Sequence, residues 1–331
     1  MEIIPGIYRF KIPIPESTLR YVNVYLIKGD SGYLLVDTGW DNNTAFAALN
    51  RQLGEIGADI SEIARVMVTH VHPDHYGLVG RIKEVSGSEF ALHPKEEALI
   101  DSRYIHMDDL LEKTAEWLRI NGVPPRELPS LQRASLPVAK YVAPTYPDVR
   151  LKNEETFSFG DFTFQTLWTP GHSPGHVCLY EPQRRILLAG DHILPNITPN
   201  IGLHTQSGAN PLGDFINSLN KIRELDVTMV LPGHEEPFHG LPSRINKILG
   251  HHHQRNEEIL TTLGRKISSA YRIAQGITWL ADIGGVGWKN LDPRDKRLAI
   301  LETLSHLELM RHEGKVAKFS RDGMVYYQRA Q

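Results

Sequence analysis

Three histidines and one aspartate lie within six residues of each other in the first third of the chain. They are His70, His72, Asp74 and His75. Neutral imidazoles and carboxylates are protein ligands for zinc, iron and manganese. A single histidine more often packs, and an aspartate before a helix more often caps it. Four such side chains packed together favour metal binding instead, so we predict a metal site here.

The elements around this cluster decide how its side chains point. Apolar residues at 64–68 predict a buried strand before it, and apolar residues within 78–85 recur at helical spacing after it. His70 and His72 share one side if the chain is still extended there. Pro73 ends the extension, so the next two ligands fall in the first helical turn. Two ligand pairs then leave one loop in different directions, which suits two adjacent metal ions.

Three later predicted strands each end in a glycine that is followed by histidine or aspartate, two residues that commonly bind metal ions. The residues that follow these glycines are His172, Asp191 and His234. Glycine lets the backbone turn closely beside a bound group. Strand ends on one edge of a sheet are a rigid place to assemble a site. Asp191 can bridge two ions, and ions about 3.5–4 Å apart clamp the attacking and leaving oxygens of a hydrolysis.

Other polar residues are candidates for supporting roles around the ligands. Asp37 ends a predicted strand, where it either forms a structural turn or orients a ligand histidine through the second ring nitrogen. Thr69, next to the first ligand, is assigned to the same supporting group.

Residues 95–150 combine helical patterns with several prolines, so we interpret them as an insertion that packs over the site. Tyr104 and His106 from this insertion are candidates for contacting substrate, together with His192 and His204. Simple packing is the alternative for each of these side chains. His192 is also a candidate for a solvent-linked proton shuttle.

Composition limits the class of protein. The chain has 331 residues, enough for one large and one small domain, and its net charge of -3 gives no general attraction to nucleic acid. Cys178 is the single cysteine, so no intrachain disulfide forms. We see no basic-then-apolar N-terminal signal and no run of about 18 apolar residues. These features predict a soluble, cytoplasmic protein without a membrane partner.

The last part of the chain, from residue 246 onward, has a different pattern. Predicted helices are followed by a hairpin with an Asp322-Gly323 turn, an order that resembles a winged helix. We therefore predict two domains, 1–245 and 246–331. The second domain is expected to pack, cover the site or form a homodimer. Nucleic-acid binding is the less favoured alternative, because glutamates interrupt its basic residues.

The ligand pattern resembles that of the metallo-β-lactamase fold superfamily, in its glyoxalase II-like (hydroxyacylglutathione hydrolase-like) branch. The family's His-x-His-x-Asp-His motif is matched at 70–75, and its early Asp-Thr-Gly at 37–39. The resemblance covers roughly residues 1–245, while the C-terminal part resembles LACTB2-like relatives. It implies an α/β fold, an αββα sandwich of two mixed sheets with helices outside.

The resemblance also implies how the ligands divide between two ions. The first ion would be held by His70, His72 and His172. The second would be held by Asp74, His75 and His234, with Asp191 as the bridge. We expect two divalent ions, zinc in preference to iron or manganese.

The function predicted from these residues is a dinuclear metal-dependent hydrolase. A metal-bound hydroxide would attack an ester-like bond of a small molecule, with a thioester favoured, and Asp74 and Asp191 would be catalytic. The alternatives are a lactonase or a metal-dependent ribonuclease that uses the winged helix. A nucleic-acid-binding regulator with a purely structural metal site ranks last, because seven ligands exceed what such a site needs.

Overall fold

The computed structural model describes residues 1–15, 19–134, 136–279 and 285–330. Two sheets pack face to face. Their strands in chain order are β1 (Glu2–Ile4), β2 (Ile7–Pro13), β3 (Tyr21–Gly29), β4 (Gly32–Val36), β5 (Ile63–Met67), β6 (Glu89–Leu92) and β7 (Val149–Arg150) in the first sheet. The second sheet contains β8 (Thr156–Phe159), β9 (Phe162–Trp168), β10 (Val177–Glu181), β11 (Ile186–Gly190) and β12 (Met229–Pro232).

Both sheets are mixed, as the family resemblance implies. In the first sheet neighbouring strands follow chain order, with antiparallel pairs from β1 to β4 and parallel pairs from β4 to β7. In the second sheet β11 and β12 are parallel and the other pairs are antiparallel. The parallel pairs matter for the site, because their carboxyl ends lie at the same edge.

Helices connect the strands and cover the sandwich. They are α1 (Asn43–Glu55), α2 (Pro73–Tyr76), α3 (Val79–Ser86), α4 (Pro94–Ile100), α5 (Met107–Ile120), α6 (Leu128–Gln132), α7 (Leu136–Ala139), α8 (Pro211–Arg223), α9 (Leu241–Leu263), α10 (Ala270–Ala274) and α11 (Pro293–His312). A π-helical turn, Asp101–Ile105, joins α4 to α5, and 3₁₀ turns lie at Ile60–Glu62 and Trp288–Asn290. No helix in the described part of the chain is long and apolar enough to cross a membrane.

Side chains alternate between the two faces of each sheet, and each face packs against a different layer. Inward residues such as Tyr25 on β3 and Phe164 on β9 form one buried cluster between the two sheets. Outward residues of the first sheet pack against α1 and α3, for example through Leu49. Outward residues of the second sheet pack against α8 and α9, for example through Phe215. The order of layers is therefore helix, sheet, sheet, helix, which confirms the predicted α/β sandwich.

The predicted insertion and the C-terminal residues share a core. Leu118 on α5 and Val123 lie in the same buried cluster as Ile259 on α9 and Leu304 on α11. Helix α9 runs without a break across residue 245, where we predict the domain boundary. The division into 1–245 and 246–331 stays a prediction.

The predicted C-terminal hairpin forms, with β13 (Val316–Arg321) paired antiparallel to β14 (Met324–Arg329). Its turn residues Asp322 and Gly323 both have positive φ, as a two-residue hairpin turn of this kind requires. The resemblance of the whole C-terminal unit to a winged helix stays a prediction.

Candidate metal centre

The first ligand loop follows β5, and its conformation agrees with the predicted strand-to-helix turn. His72 is extended, with φ -66° and ψ 147°, and α2 begins at Pro73. Proline is well suited to this first helical position, because it has no N–H to leave unpaired there. Asp74 and His75 therefore lie in the first turn of a helix, and the His75 ring lies beside that of His70, with ring centroids 4.3 Å apart.

The first group of candidate ligands consists of three imidazoles. His70, His72 and His172 offer ring nitrogens that all lie within 4.8 Å of one another. Nδ1 of His72 lies 2.8 Å from Nε2 of His70 and 3.1 Å from Nε2 of His172. Three nitrogens that converge on one point are the donor set of a three-coordinate protein site with a further position open.

The second group combines one carboxylate and two imidazoles. Asp74, His75 and His234 form it, and Oδ2 of Asp74 lies 3.2 Å from Nε2 of His234. Asp191 lies between the two groups. Its Oδ1 is 3.4 Å from Nε2 of His75, and its Oδ2 is 3.7 Å from Nε2 of His172. One oxygen of Asp191 therefore faces each group.

The residues present fit a pair of divalent cations. Nε2 of His75, Nε2 of His234 and Oδ1 of Asp191 are buried, and each lacks a hydrogen-bond partner among the described residues. Leaving a buried polar atom unsatisfied costs about 1–3 kcal/mol. Three such atoms that converge on one point indicate that a ligand completes the site. Imidazole and carboxylate donors suit zinc, iron or manganese.

The imidazoles of the first group are held neutral. Burial lowers the pKa of His70 well below its usual value, and the neighbouring His75 and His72 lower it further. Burial also lowers the pKa of His72, with His172 adding to the effect. A neutral imidazole is the form that binds a metal ion, so this group is ready to do so at neutral pH.

The second group has the opposite electrostatics, because two carboxylates lie inside it. Burial raises the pKa of Asp191, but His234 and His75 outweigh burial and hold that pKa well below its usual range. Burial lowers the pKa of His234, but Asp191 and Asp74 raise it to about 10. The carboxylates are thus ionised and favour a positive charge beside them, and a bound cation would take the place of the His234 proton.

Asp37 and Thr69, the predicted supporting residues, both contact ligand histidines. Oδ2 of Asp37 lies 2.8 Å from Nδ1 of His75. The same carboxylate accepts hydrogen bonds from the backbone N–H of Thr69, at 2.8 Å, and from its hydroxyl. That hydroxyl lies 3.1 Å from Nδ1 of His70. Asp37 thereby fixes the ring orientation of His75, which leaves Nε2 for the site.

Two other candidate ligand histidines are oriented by backbone carbonyls that the sequence did not indicate. Nδ1 of His172 donates to the carbonyl oxygen of Asn200 at 3.0 Å, and Nδ1 of His234 donates to that of Tyr21 at 2.9 Å. Every residue type offers a backbone carbonyl. No sequence motif could therefore have identified these two partners.

The insertion candidates for substrate contact have other partners. The Tyr104 hydroxyl donates a hydrogen bond to the carbonyl oxygen of Val71, between the first two ligands. The imidazole of His106 is exposed and pairs with Asp101 at 3.1 Å. Substrate contact by Tyr104 or His106 stays a prediction.

His192 and His204 lie in loops of the second half of the chain. His192 is fully buried beside the ring of Phe215, and burial lowers its pKa to about 3. It has no contact with solvent, so the predicted solvent-linked proton shuttle does not fit this residue. Burial also lowers the pKa of His204 to about 3, with Arg103 and Arg297 adding to the effect. His204 therefore stays neutral, and its contact with substrate remains a prediction.

Comparisons with known proteins agree with this geometry. Residues 17–234 match the family model described as the metallo-beta-lactamase superfamily. A crystal structure of a metallo-beta-lactamase family protein from Thermus thermophilus superposes with a TM-score of 0.85 at 30% identity, covering 99% of this chain and 100% of that one. A beta-lactamase domain protein from Burkholderia ambifaria gives a TM-score of 0.78 at 26% identity, with 100% and 94% covered. The chain therefore belongs to the metallo-beta-lactamase superfamily.

Curated relatives indicate the kind of activity. A probable metallo-hydrolase, YqjP of Bacillus subtilis, is 26% identical over 324 residues, 96% of each chain. The acyl-coenzyme A thioesterase MBLAC2 of Gallus gallus is 26% identical over 70% of this chain and 79% of its own. The chain is thus an enzyme of the hydrolase class, in a superfamily whose members use divalent metal ions.

Proposed function

We propose that this protein is a dinuclear hydrolase of small-molecule thioesters. The observation that carries the proposal is the position of Asp191 between two three-residue ligand groups, with one oxygen facing each. One ion would be held by His70, His72 and His172. The other would be held by Asp74, His75 and His234, with Asp191 shared.

Each part of the site has a distinct task in such a reaction. Divalent ions supply Lewis acidity and lower the pKa of a water from 15.7 to about 7. Asp37 keeps the His75 ring oriented, and Asp191 places negative charge between the two groups. Asp74 is the group we assign to proton transfer. Its side chain is 17% exposed against 10% for Asp191, so it reaches solvent while it contacts His234.

The choice of a thioester rests on relatives, because the fold alone does not determine the bond cleaved. MBLAC2 is named an acyl-coenzyme A thioesterase. A second relative, an atrochrysone carboxyl ACP thioesterase of Aspergillus fumigatus, is 23% identical over 75% of this chain and 46% of its own. We assign zinc as the metal, because imidazoles dominate the ligand set.

The test combines metal analysis with turnover. Metals per chain are counted by mass spectrometry, and an acyl-coenzyme A, a lactone and a single-stranded RNA are assayed with and without chelator. We expect about two ions per chain and chelator-sensitive thioester cleavage. The double variant His70→Ala plus Asp191→Ala should lose both. His253→Ala, which changes an exposed histidine on α9, serves as the control and should keep both.

Other outcomes would overturn the proposal in different ways. Lactone or RNA cleavage without thioester turnover would move the assignment to that substrate and leave the metal site standing. Two ions retained by the double variant would show that the ligands lie elsewhere.

A further inference from the structure

A buried carboxylate outside the ligand groups lies directly behind the first of them. Glu96 is in the first turn of α4, its side chain is fully buried, and it forms no ion pair within the described parts of the chain. Its Oε2 accepts a hydrogen bond from the backbone N–H of Val71 at 2.9 Å. Its Oε1 accepts from the Ser173 hydroxyl at 2.5 Å and from the Gly175 N–H at 2.6 Å.

These three donors belong to the two loops that carry the first ligand group. Val71 lies between His70 and His72, and Ser173 follows His172. One carboxylate therefore joins the loop after β5 to the loop after β9. Hydrogen bonds to an ionised acceptor are shorter and about twice as strong as neutral ones. The contacts of Glu96 with Ser173 and Gly175, at 2.5 and 2.6 Å, are short in this way.

Both backbone polar groups of Val71 are hydrogen-bonded. Glu96 accepts from its N–H, and the Tyr104 hydroxyl donates to its carbonyl oxygen. Both residues come from one continuous segment, since the π-helical turn that contains Tyr104 directly follows α4. The backbone between the two ligand histidines thus has little freedom to rotate.

The chemistry of the contacts requires a carboxylate. A carboxylate only accepts hydrogen bonds, and all three partners of Glu96 are donors. A glutamine would turn its NH₂ group either toward Val71 N–H or toward Gly175 N–H, so no orientation satisfies all three. Burying a carboxylate is costly unless its hydrogen bonds compensate. Glu97, the next residue, instead pairs with Arg150 at 2.6 Å.

We infer that Glu96, together with Tyr104, is a positioning residue that fixes His70, His72 and His172 for the first metal ion. The inference rests on the two-ion site proposed above. It assigns the start of the insertion a role in metal affinity, beyond covering the site.

The experiment measures zinc binding to each ligand group separately. The apo-protein is titrated with zinc against a chromophoric chelator in two backgrounds. Asp74→Ala leaves the first group intact, and His72→Ala leaves the second group intact. Glu96→Gln should weaken zinc binding by about 10–100-fold in the Asp74→Ala background. It should leave binding in the His72→Ala background unchanged. Glu97→Gln is the matched control and should change neither.

Equal weakening in both backgrounds would overturn the inference, because a merely structural role would disturb both groups. No weakening in the Asp74→Ala background would overturn it as well, while the two-ion site would stand. A wild-type chain that binds only one ion would overturn the proposed function itself. The two failures are therefore distinguishable.

A second variant covers the case in which Glu96→Gln does not fold, which circular dichroism of the apo-protein would show. Tyr104→Phe removes the hydrogen bond to the Val71 carbonyl oxygen and changes one oxygen atom only. It should also weaken zinc binding at the first group selectively. Unchanged zinc affinity in this variant would overturn the part assigned to Tyr104.

Discussion

His172 donates a hydrogen bond from Nδ1 to the carbonyl oxygen of Asn200, across 3.0 Å. The side chain of Asn200 in turn donates to Oε2 of Glu302 on α11, at 2.7 Å. Glu302 also lies 3.8 Å from the buried guanidinium of Arg255 on α9. The C-terminal helices thus contact a ligand histidine through a single loop residue.

This contact predicts that Glu302→Ala weakens zinc binding at the first ligand group. The Asn200 side chain would lose its acceptor, and the loop that orients His172 would be less restrained. We also expect the free energy of unfolding to fall by about 1 kcal/mol, because the partly buried Asn200 amide loses its acceptor. Chelator competition and urea unfolding of the apo-protein measure the two effects.

Glu257→Ala is the control for this variant, since Glu257 is exposed on α9. It should match the wild type in both measurements. If Glu302→Ala lowers stability but leaves zinc affinity unchanged, the contact through Asn200 has no influence on the ligand.

Asp148 predicts a pH-dependent contribution to stability. Its carboxylate pairs with Lys83 and accepts from the backbone N–H of Phe90 at 2.8 Å, and these contacts lower its pKa. A group whose pKa is lowered by folding stabilises the protein above its unfolded pKa and loses that effect as pH falls through the folded value. Because the side chain is 47% exposed, solvent screens the pair.

Asp148→Asn should therefore lower the free energy of unfolding by about 0.5 kcal/mol at pH 7, and the difference should vanish in strong acid. Urea unfolding at a series of pH values measures this difference. Asp30→Asn, in the exposed turn between β3 and β4, is the control and should match the wild type at pH 7. A difference that grows as pH falls would contradict the assignment.

Cys178 should resist alkylation in the native protein. It is fully buried on β10, and burial raises the pKa of its thiol to about 12. Because the thiolate is the reactive form, iodoacetamide at pH 8 should label it on the order of a thousandfold more slowly than in denaturant. Mass spectrometry follows the reaction without ambiguity, since the chain has one cysteine. Rapid labelling of the native protein would show that β10 opens.

The ligand loops could be predicted because their conformation depends on residues that are close together in the sequence. His70 and His72 lie two residues apart before a helix that starts at Pro73, so the spacing alone predicts one loop that carries all four side chains. The glycines before Asp191 and His234 indicated strand ends in the same way. The seven predicted ligands lie together in the structure.

The role of Glu96 could not be predicted, because it depends on contacts with residues distant in the sequence. In sequence it is one of two adjacent glutamates in the first turn of a helix, a common position for acidic residues. Only the packing of distant loops makes one of them buried and leaves the other on the surface. The shared core of α5 with α9 and α11 also depends on long-range contacts, which periodicity does not record.

Each ligand group contains residues from loops of both sheets. The loop after β5 supplies four of the predicted ligands from the first sheet, while His172, Asp191 and His234 follow strands of the second. A nascent chain that ends before residue 172 has neither group complete. An ion held in either group joins the two halves of the sandwich as a cross-link. With the ligands proposed above, complete coordination would require that the sheets have met, and a bound ion would then oppose their separation.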